Sequence, residues 1–433
     1  MAKVTGLSGN EIYCLALKQY AAGEIVVGNS VNSMGFLGSL GAGFSNLLGG
    51  EVPQVTEAIH AGRAAAFARM TKEAEAQGAS GVAGVTGELR SFSGSTEFLF
   101  VGSCVHAKGA SDGFFTSAGD AQELYCHMDA GYDPISHVFG NVAYSVGVGG
   151  GLLGKLKTLA RGEIREYSDV FNQTRHAALS RVVNQAKESR ANAVVGIRTT
   201  ICPWAGTHEM MMSGTAAINS ALPTATFQAP VTSDLTGEEL WAMTTLGYAP
   251  VKLLISTSIY SLGFAQGFLA AFKSFRKGEI NELTSLIHDA REIAIDRLKS
   301  EADQLGADEV VGVKTFIAEI GSGLVEFLAI GTAVKKTAGM AVKTPALPVH
   351  AIVRDKDTWI DGDFGFTLDR ATSGMLPPLA GRGRPASGAG TIGCAGLFVS
   401  DQGVEGGADR GADRRLVGCG VQRGDGCLLK LLQ

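Results

Sequence analysis

The sequence predicts an α+β chain: three tandem two-layer modules, each a small sheet packed on one long helix, followed by a tail with no core of its own. Three observations predict it. Glu11, Glu123 and Glu239 open the related segments EIYCLA, ELYCHM and ELWAMT, each 39 residues before a Gly-Glu-aliphatic triplet at Gly50, Gly162 and Gly278. Gly35, Gly147 and Gly263 stand 15 residues before the same triplets. In the last copy Leu283, Leu286, Ile287, Ala290, Ile293, Ala294, Leu298, Ala302 and Leu305 recur at helical spacing, which is one long amphipathic helix.

The copies divide the chain into modules at 1–109, 110–221 and 222–338, with a Pro/Gly-rich tail at 339–433. Each module opens with a strand, around 25–27, 135–138 and 251–255. The long helix is stopped in the third copy by Gly306, where β-branched residues follow in GADEVVGV; GASGVAGV and RANAVVGI hold the same place. A strand, a turn and a closing strand complete the unit, the last beginning at Glu97, Glu209 and Glu326. One helix covers one face of such a sheet, so apolar surface is left for module-to-module or chain-to-chain packing.

The bulk numbers exclude some functions. With 433 residues, 45% apolar, 18% charged and a net charge of −5, the chain is a globular protein without a basic surface for nucleic acid. Seven scattered cysteines make no disulfide framework, and the first residues form no apolar signal core, so a reducing cytoplasm is expected. The connectors GFLGSLGAGFSNLLGG, GVGGGLLGKLKTLARG and GFAQGFLAAFKSFRKG are poor in charge. They lie in uncharged runs that approach the roughly 20 residues of a membrane span, but Gly, Ser and Asn interrupt them and a strand begins them. Buried subunit contacts are the expectation, with a membrane-associated oligomer as the alternative. Met340 onward holds a Pro-started stretch that could dock as one short strand. Beyond about 367 the composition turns Gly-rich, which reads as disorder or as an out-of-frame end.

The segments ADQLGADEVVGVKT and FLAIGTAVKK of the third copy carry a family resemblance, which the first two copies share more weakly; together the three cover residues 5–337. The module resembles the YbjQ-like family, a set of domains named for heavy-metal binding. The resemblance implies a small α/β domain of YbjQ-like or dodecin-like type whose single-copy members form cyclic pentamers, and hence a homo-oligomer, possible pentamers included. It implies no settled activity.

Candidate chemistry is sparse. Cys14 and Cys126 are equivalent and could converge on a soft divalent metal with His127, but Ala242 breaks the set in the third copy. Buried small hydrophobes are the plainer reading. Cys104 and His106 sit at i and i+2 on a strand, which puts two ligand types on one face; their equivalents Ala216, Ile218, Ala333 and Lys335 make no such pair. His60 and His288 match in register, with Asn172 between them. Arg63, Arg175 and Arg291 recur with Glu97, Glu209 and Glu326, which suggests structural ion pairs from helix to sheet edge or across a module boundary. GGGLLGKL at 149–156 nearly spells a phosphate loop, but Leu156 replaces the hydroxyl that would hold magnesium. No catalytic arrangement can be picked out. The expected function is a non-catalytic, ring-forming oligomeric scaffold or binding protein, with a soft-metal binding protein as the rival.

Overall fold

The structure is a computed structural model and describes residues 2–33, 50–92, 95–109, 113–145, 162–204, 207–261, 281–321, 324–351 and 361–362. The glycine-rich connectors, the near phosphate loop and the tail at 352–360 and 363–433 lie outside the described residues. Each module begins with a short helix: α1 (Gly9–Leu17) in the first. Ser8 caps it by accepting from the Glu11 amide, and the Glu11 carboxylate accepts from the Ser8 amide in return, so the glutamate of EIYCLA is one half of a capping box. The chain continues as β1 (Tyr20–Ser33), β2 (Gly50–Glu51), the long helix α2 (Pro53–Ala76), β3 (Gly81–Phe92) and β4 (Ser95–Ala107). Pro53 opens α2, where its missing N–H costs nothing.

The second module repeats this order after β5 (Phe115–Thr116). Its elements are α3 (Ala121–Asp129), β6 (Asp133–Ser145), β7 (Gly162–Glu163), α4 (Arg165–Glu188), β8 (Ala193–Trp204) and β9 (Thr207–Ile218). Next comes β10 (Val231–Thr232), then the third module: α5 (Gly237–Thr245), β11 (Tyr248–Ser261), α6 (Asn281–Gln304), β12 (Glu309–Gly321) and β13 (Leu324–Lys336). Asp120 caps α3, and Thr236 with Glu239 rebuilds the capping box on α5.

Every sheet has the closing strand in its middle, with orders β1-β4-β3-β5, β10-β8-β9-β6-β2 and β12-β13-β11-β7. The two-residue strands do not belong to the modules that supply them. Gly50 and Glu51 pair with Ser145 and Tyr144 of the second module, and Gly162 and Glu163 with Ser261 and Tyr260 of the third. In the opposite direction Phe115 and Thr116 pair with Gly81 and Val82 of the first module, and Val231 and Thr232 with Ala193 and Val194 of the second. Neighbouring modules therefore exchange strands both ways. A further two-residue strand, β14 (Asp361–Gly362), lies parallel to β8 at Thr200 and Ile201, where the tail was expected to dock one strand.

The glycine shared by GASGVAGV, RANAVVGI and GADEVVGV has a specific use. Gly84, Gly196 and Gly312 all have positive φ, at 65°, 61° and 64°, and each sits where the antiparallel register slips. This is a β-bulge that a side-chain-bearing residue would strain.

The cores do not stop at module boundaries. One cluster joins Val55, Ile59, Met70, Phe98 and Phe100 of the first module to Phe139, Ala143 and Met211 of the second. Another joins Phe171, Leu179 and Met210 of the second to Leu253, Ile255, Ile259 and Leu328 of the third. α2 and α4 thus each cover their own sheet with one flank and the next module's first strand with the other, whereas α6 packs on its own sheet. Fully burying a residue such as Phe139 or Ile259 contributes about 1.5–3 kcal/mol, so each joint is stabilised as a core is.

Candidate functional site

The two enclosed arginines, Arg63 and Arg175, lie at the joints, while buried Glu123 and Asp234 pair with Arg198 and Lys314 inside their own modules. Arg63 on α2 donates through Nε to Glu209 Oε1 at 2.9 Å and through Nη2 to Glu209 Oε2 at 2.6 Å, so the fork of one module grips the closing strand of the next. Arg175 on α4 repeats this with Glu326: Nη2 lies 2.8 and 2.9 Å from the two carboxylate oxygens and Nε 3.3 Å from Oε1. The second pair is the more enclosed. Both its side chains are at most 1% exposed, the Tyr144 hydroxyl accepts from Arg175 Nη2 at 3.0 Å, and the Tyr144 ring lies 4.3 Å from the guanidinium. Burial alone would favour loss of the Arg175 proton, but the Glu326 carboxylate reverses that and holds its pKa above the ordinary arginine value.

Around each pair the polar contacts repeat. Asn141 of the second module donates to Thr56 O at 3.1 Å and meets His60 Nδ1 at 3.2 Å. At the next joint Asn172 takes the equivalent place of His60, donating to Thr257 O at 2.9 Å and accepting from the Thr257 amide at 2.8 Å. The Thr56 hydroxyl accepts from the Ala143 amide and the Ser168 hydroxyl from the Ile259 amide, each at 2.9 Å. Arg181 donates to Asn141 O within its own module and to Glu51 of the preceding one, at 2.7 and 2.6 Å. Arg297 does the same with Thr257 O and Glu163, at 2.8 and 2.6 Å. The glutamate of the Gly-Glu-aliphatic triplet is thus a joint residue. Its recurrence was the available signal, although sequence alone did not name its partner.

The third arginine and the first glutamate stand apart. Glu97 accepts from Asn29 within its own module at 3.2 Å, and Arg291 lies 5.8 Å from the Phe327 ring with no carboxylate at ion-pair distance among the described residues.

The candidate metal ligands divide into three places. Cys14 and Cys126 come together on α1 and α3, both fully buried, beneath the segment that follows the third module. Their thiols donate to consecutive carbonyls, Cys14 to His350 O at 3.4 Å and Cys126 to Ala351 O at 3.3 Å. Burial, with Asp120 and Glu11 adding to it, pushes Cys14 up to about 11. Burial and the neighbouring Cys14 push Cys126 further still. A metal-binding thiolate needs the opposite shift. His127 lies elsewhere, against the Gly196 bulge, with neither ring nitrogen hydrogen-bonded among the described residues. Burial, and secondarily Arg198, lower it to about 3. Cys104 and His106 both flank Gly23 on one face of the first sheet; His106 Nδ1 is 3.2 Å from Gly78 O, and burial holds Cys104 near 11. Among the described residues no group of three or more His, Cys, Asp or Glu is arranged to hold a metal ion. Two protonated thiols without a third ligand do not fit a closed soft-metal centre.

Beside the cysteines, Asp129 ties the three short helices together. It accepts from Lys18 of α1 at 2.7 Å, from Trp241 of α5 at 2.8 Å and from the Thr344 hydroxyl at 2.7 Å. Burial would raise its pKa, but these three donors hold it below the usual carboxylate range. A cleft of about 930 Å³ opens between α4 and α6, where Lys252 and Glu301 pair at 2.8 Å and Arg297 is taken up by Glu163. No helix among the described residues is long and apolar enough to cross a membrane.

The fold and its joints define a tandem α+β repeat protein whose enclosed charges lie mainly where modules meet. The chain belongs to the YbjQ family, described as "Putative heavy-metal-binding", whose profile matches residues 14–108, 132–220 and 248–337. A Mycobacterium tuberculosis relative named as an encapsulin nanocompartment protein is 30% identical over 245 residues, which span 54% of this chain and 90% of that one. A UPF0145 protein of Pseudothermotoga lettingae is 39% identical over 92 residues, 21% of this chain and 87% of that one. A UPF0145 protein of Thermotoga maritima is 43% identical over 77 residues, 18% of this chain and 73% of that one. No solved structure matches the chain.

Proposed function

We propose that the protein is a non-catalytic scaffold that assembles from several copies of itself. The observation that carries this reading is how its buried ionic groups are used. Arg63, Glu209, Arg175 and Glu326 are among the buried side chains that would mark an active site in another protein, and here each is consumed in holding one module to the next. A relative bearing the name of a nanocompartment protein supports the same direction, since a compartment is made of many chains in contact. A reducing cytoplasm suits Cys14, Cys104 and Cys126, which are unpaired thiols.

Subunit number follows from the joints only as a constraint. A chain contributes three modules, so a single ring closed with every position filled holds a multiple of three. A five-chain assembly would need either a larger ring or the three modules of each chain in separate layers.

The test is native mass spectrometry of protein purified without added metal or chelator. The expected spectrum shows a discrete multiple of the chain mass with no bound ion. A single chain carrying a stoichiometric metal would overturn the reading and favour the rival built on Cys14 and Cys126.

A further inference from the structure

The two joints inside the chain are one interface used twice, and the chain ends with half of that interface at either extremity. On the first module the half is the outer face of β1 and the end of β4. Ile25, Val27 and Val31 are 39%, 45% and 51% exposed, whereas the residues at the same positions of the second module, His137, Phe139 and Ala143, are at most 3% exposed beneath α2. Leu253, Ile255 and Ile259 of the third module are buried in the same way beneath α4. Asn29 is exposed where Asn141 and Thr257 are fully buried, and Glu97 is half-buried where Glu209 and Glu326 are enclosed.

On the third module the half is the outward flank of α6. Arg291 is exposed, while Arg63 and Arg175 are 3% and 0% exposed. Ile287 is half-buried, while Ile59 and Phe171 are enclosed. His288 is exposed where His60 and Asn172 reach across their joints. One end therefore presents a guanidinium with no carboxylate partner among the described residues beside an apolar flank, and the other presents a carboxylate beside an apolar strand. Their spacing along the module is the spacing that pairs Arg63 with Glu209 and Arg175 with Glu326.

We propose that a second copy of this chain fills the open joint head to tail, α6 of one copy covering β1 of the next, with Arg291 donating to Glu97 as Arg175 does to Glu326. The contact is heterologous, so repetition produces a closed ring or an open array rather than a two-fold dimer. Closing the joint would bury Ile25, Val27 and Val31, which in the single chain form an apolar stripe facing solvent. Local strain is not required, because Asn29, which now donates to Glu97, has an equivalent in Asn141 that already donates across a joint. This inference rests on the scaffold reading and names the surface through which the scaffold grows.

The experiment is charge exchange read by light scattering on a sizing column at micromolar concentration. Glu97→Arg and Arg291→Glu are each expected to lower the mass of the assembly toward that of one chain, because each sets like charges against each other in every joint. The double variant is expected to restore the mass, since every joint then regains one charge of each sign, and mixing the two single variants is expected to restore it in an array or even-numbered ring, where the two alternate. Val27→Glu, at a position exposed in the single chain, is expected to lower the mass while leaving the circular dichroism spectrum unchanged. Wild-type protein that runs as one chain would overturn the scaffold reading itself. Wild-type protein that assembles, with single charge variants that assemble equally well, would leave the scaffold standing and overturn this joint.

Discussion

Glu326→Gln leaves the shape of the second joint almost unchanged but removes the negative charge that pairs with Arg175. Arg175 is fully buried, and two of its nitrogens make three contacts with that carboxylate at 2.8 to 3.3 Å. Removing one partner of a buried pair costs about 3–5 kcal/mol, most of it the penalty of an uncompensated interior charge. At about 1.4 kcal/mol for each factor of ten, local opening of the joint becomes about two to three and a half orders of magnitude more frequent. Hydrogen exchange followed by mass spectrometry reads this in peptides covering α4, β11 and β13, while peptides from α2 and β4 serve as the internal reference. Glu88→Gln is the control: Arg90 and Glu88 pair on the surface with 57% and 51% exposure, and loss of such a pair costs under about 1 kcal/mol. The double variant Arg175→Met with Glu326→Leu is expected to regain most of the lost protection, because an apolar pair needs no desolvated charge. If Glu326→Gln exchanges no faster than Glu88→Gln, the ion pair is not what closes the joint.

Two further outcomes are expected. His137 packs among Phe67, Phe100 and Phe139 at the first joint in tilted and edge-on contacts, neither ring nitrogen is satisfied among the described residues, and burial, with Arg198, lowers it to about 3. The unfolded chain takes up that proton near pH 6.5 and the folded one refuses it, so stability falls by up to about 1.4 kcal/mol per pH unit per histidine as pH drops from 6.5 toward 3. His137→Leu, the residue found at the equivalent position of the third module, should flatten urea midpoints across that window; an unchanged slope would exclude His137 as its source. Separately, Cys14 and Cys126 are both fully buried and held protonated, so iodoacetamide at pH 8 should leave them unmodified in native protein and alkylate them in urea. Rapid labelling of Cys14 in the folded state would contradict the packing beneath His350 and Ala351.

The repeat was legible because offsets between copies do not depend on what the copies touch. Read from sequence, each module opens with a strand, which misses the short helix before it, whose capping boxes at Glu11 and Glu239 were the available signal; the bulge at Gly84, Gly196 and Gly312 likewise shows there only as a recurring glycine. What the sequence hid is phase. Arg63 has an equally good partner on paper in Glu97 as in Glu209, and identical copies cannot say whether a helix pairs with its own module or with the next. The exchanged strands were invisible for another reason: two residues such as Gly50 and Glu51 are too short to show any periodicity. The grouping of Cys14 with Cys126, apart from His127 and from Cys104 with His106, depends on how α1 packs on α3, and no local pattern encodes that. The connectors, read from sequence as buried contact segments, lie outside the described residues.

The strands exchanged between neighbours put the copied unit and the foldable unit out of step. A cleavage after residue 109 respects the repeat in the sequence, yet it strips Phe115 and Thr116 from the edge of the first sheet and Gly50 and Glu51 from the second. Neither product would inherit a finished sheet. Excising the middle copy would be worse, since Glu163 and Arg181 reach forward and backward out of it. Protection against proteolysis in this chain should therefore belong to the array and not to its parts: a nick at one seam loosens the modules on both sides.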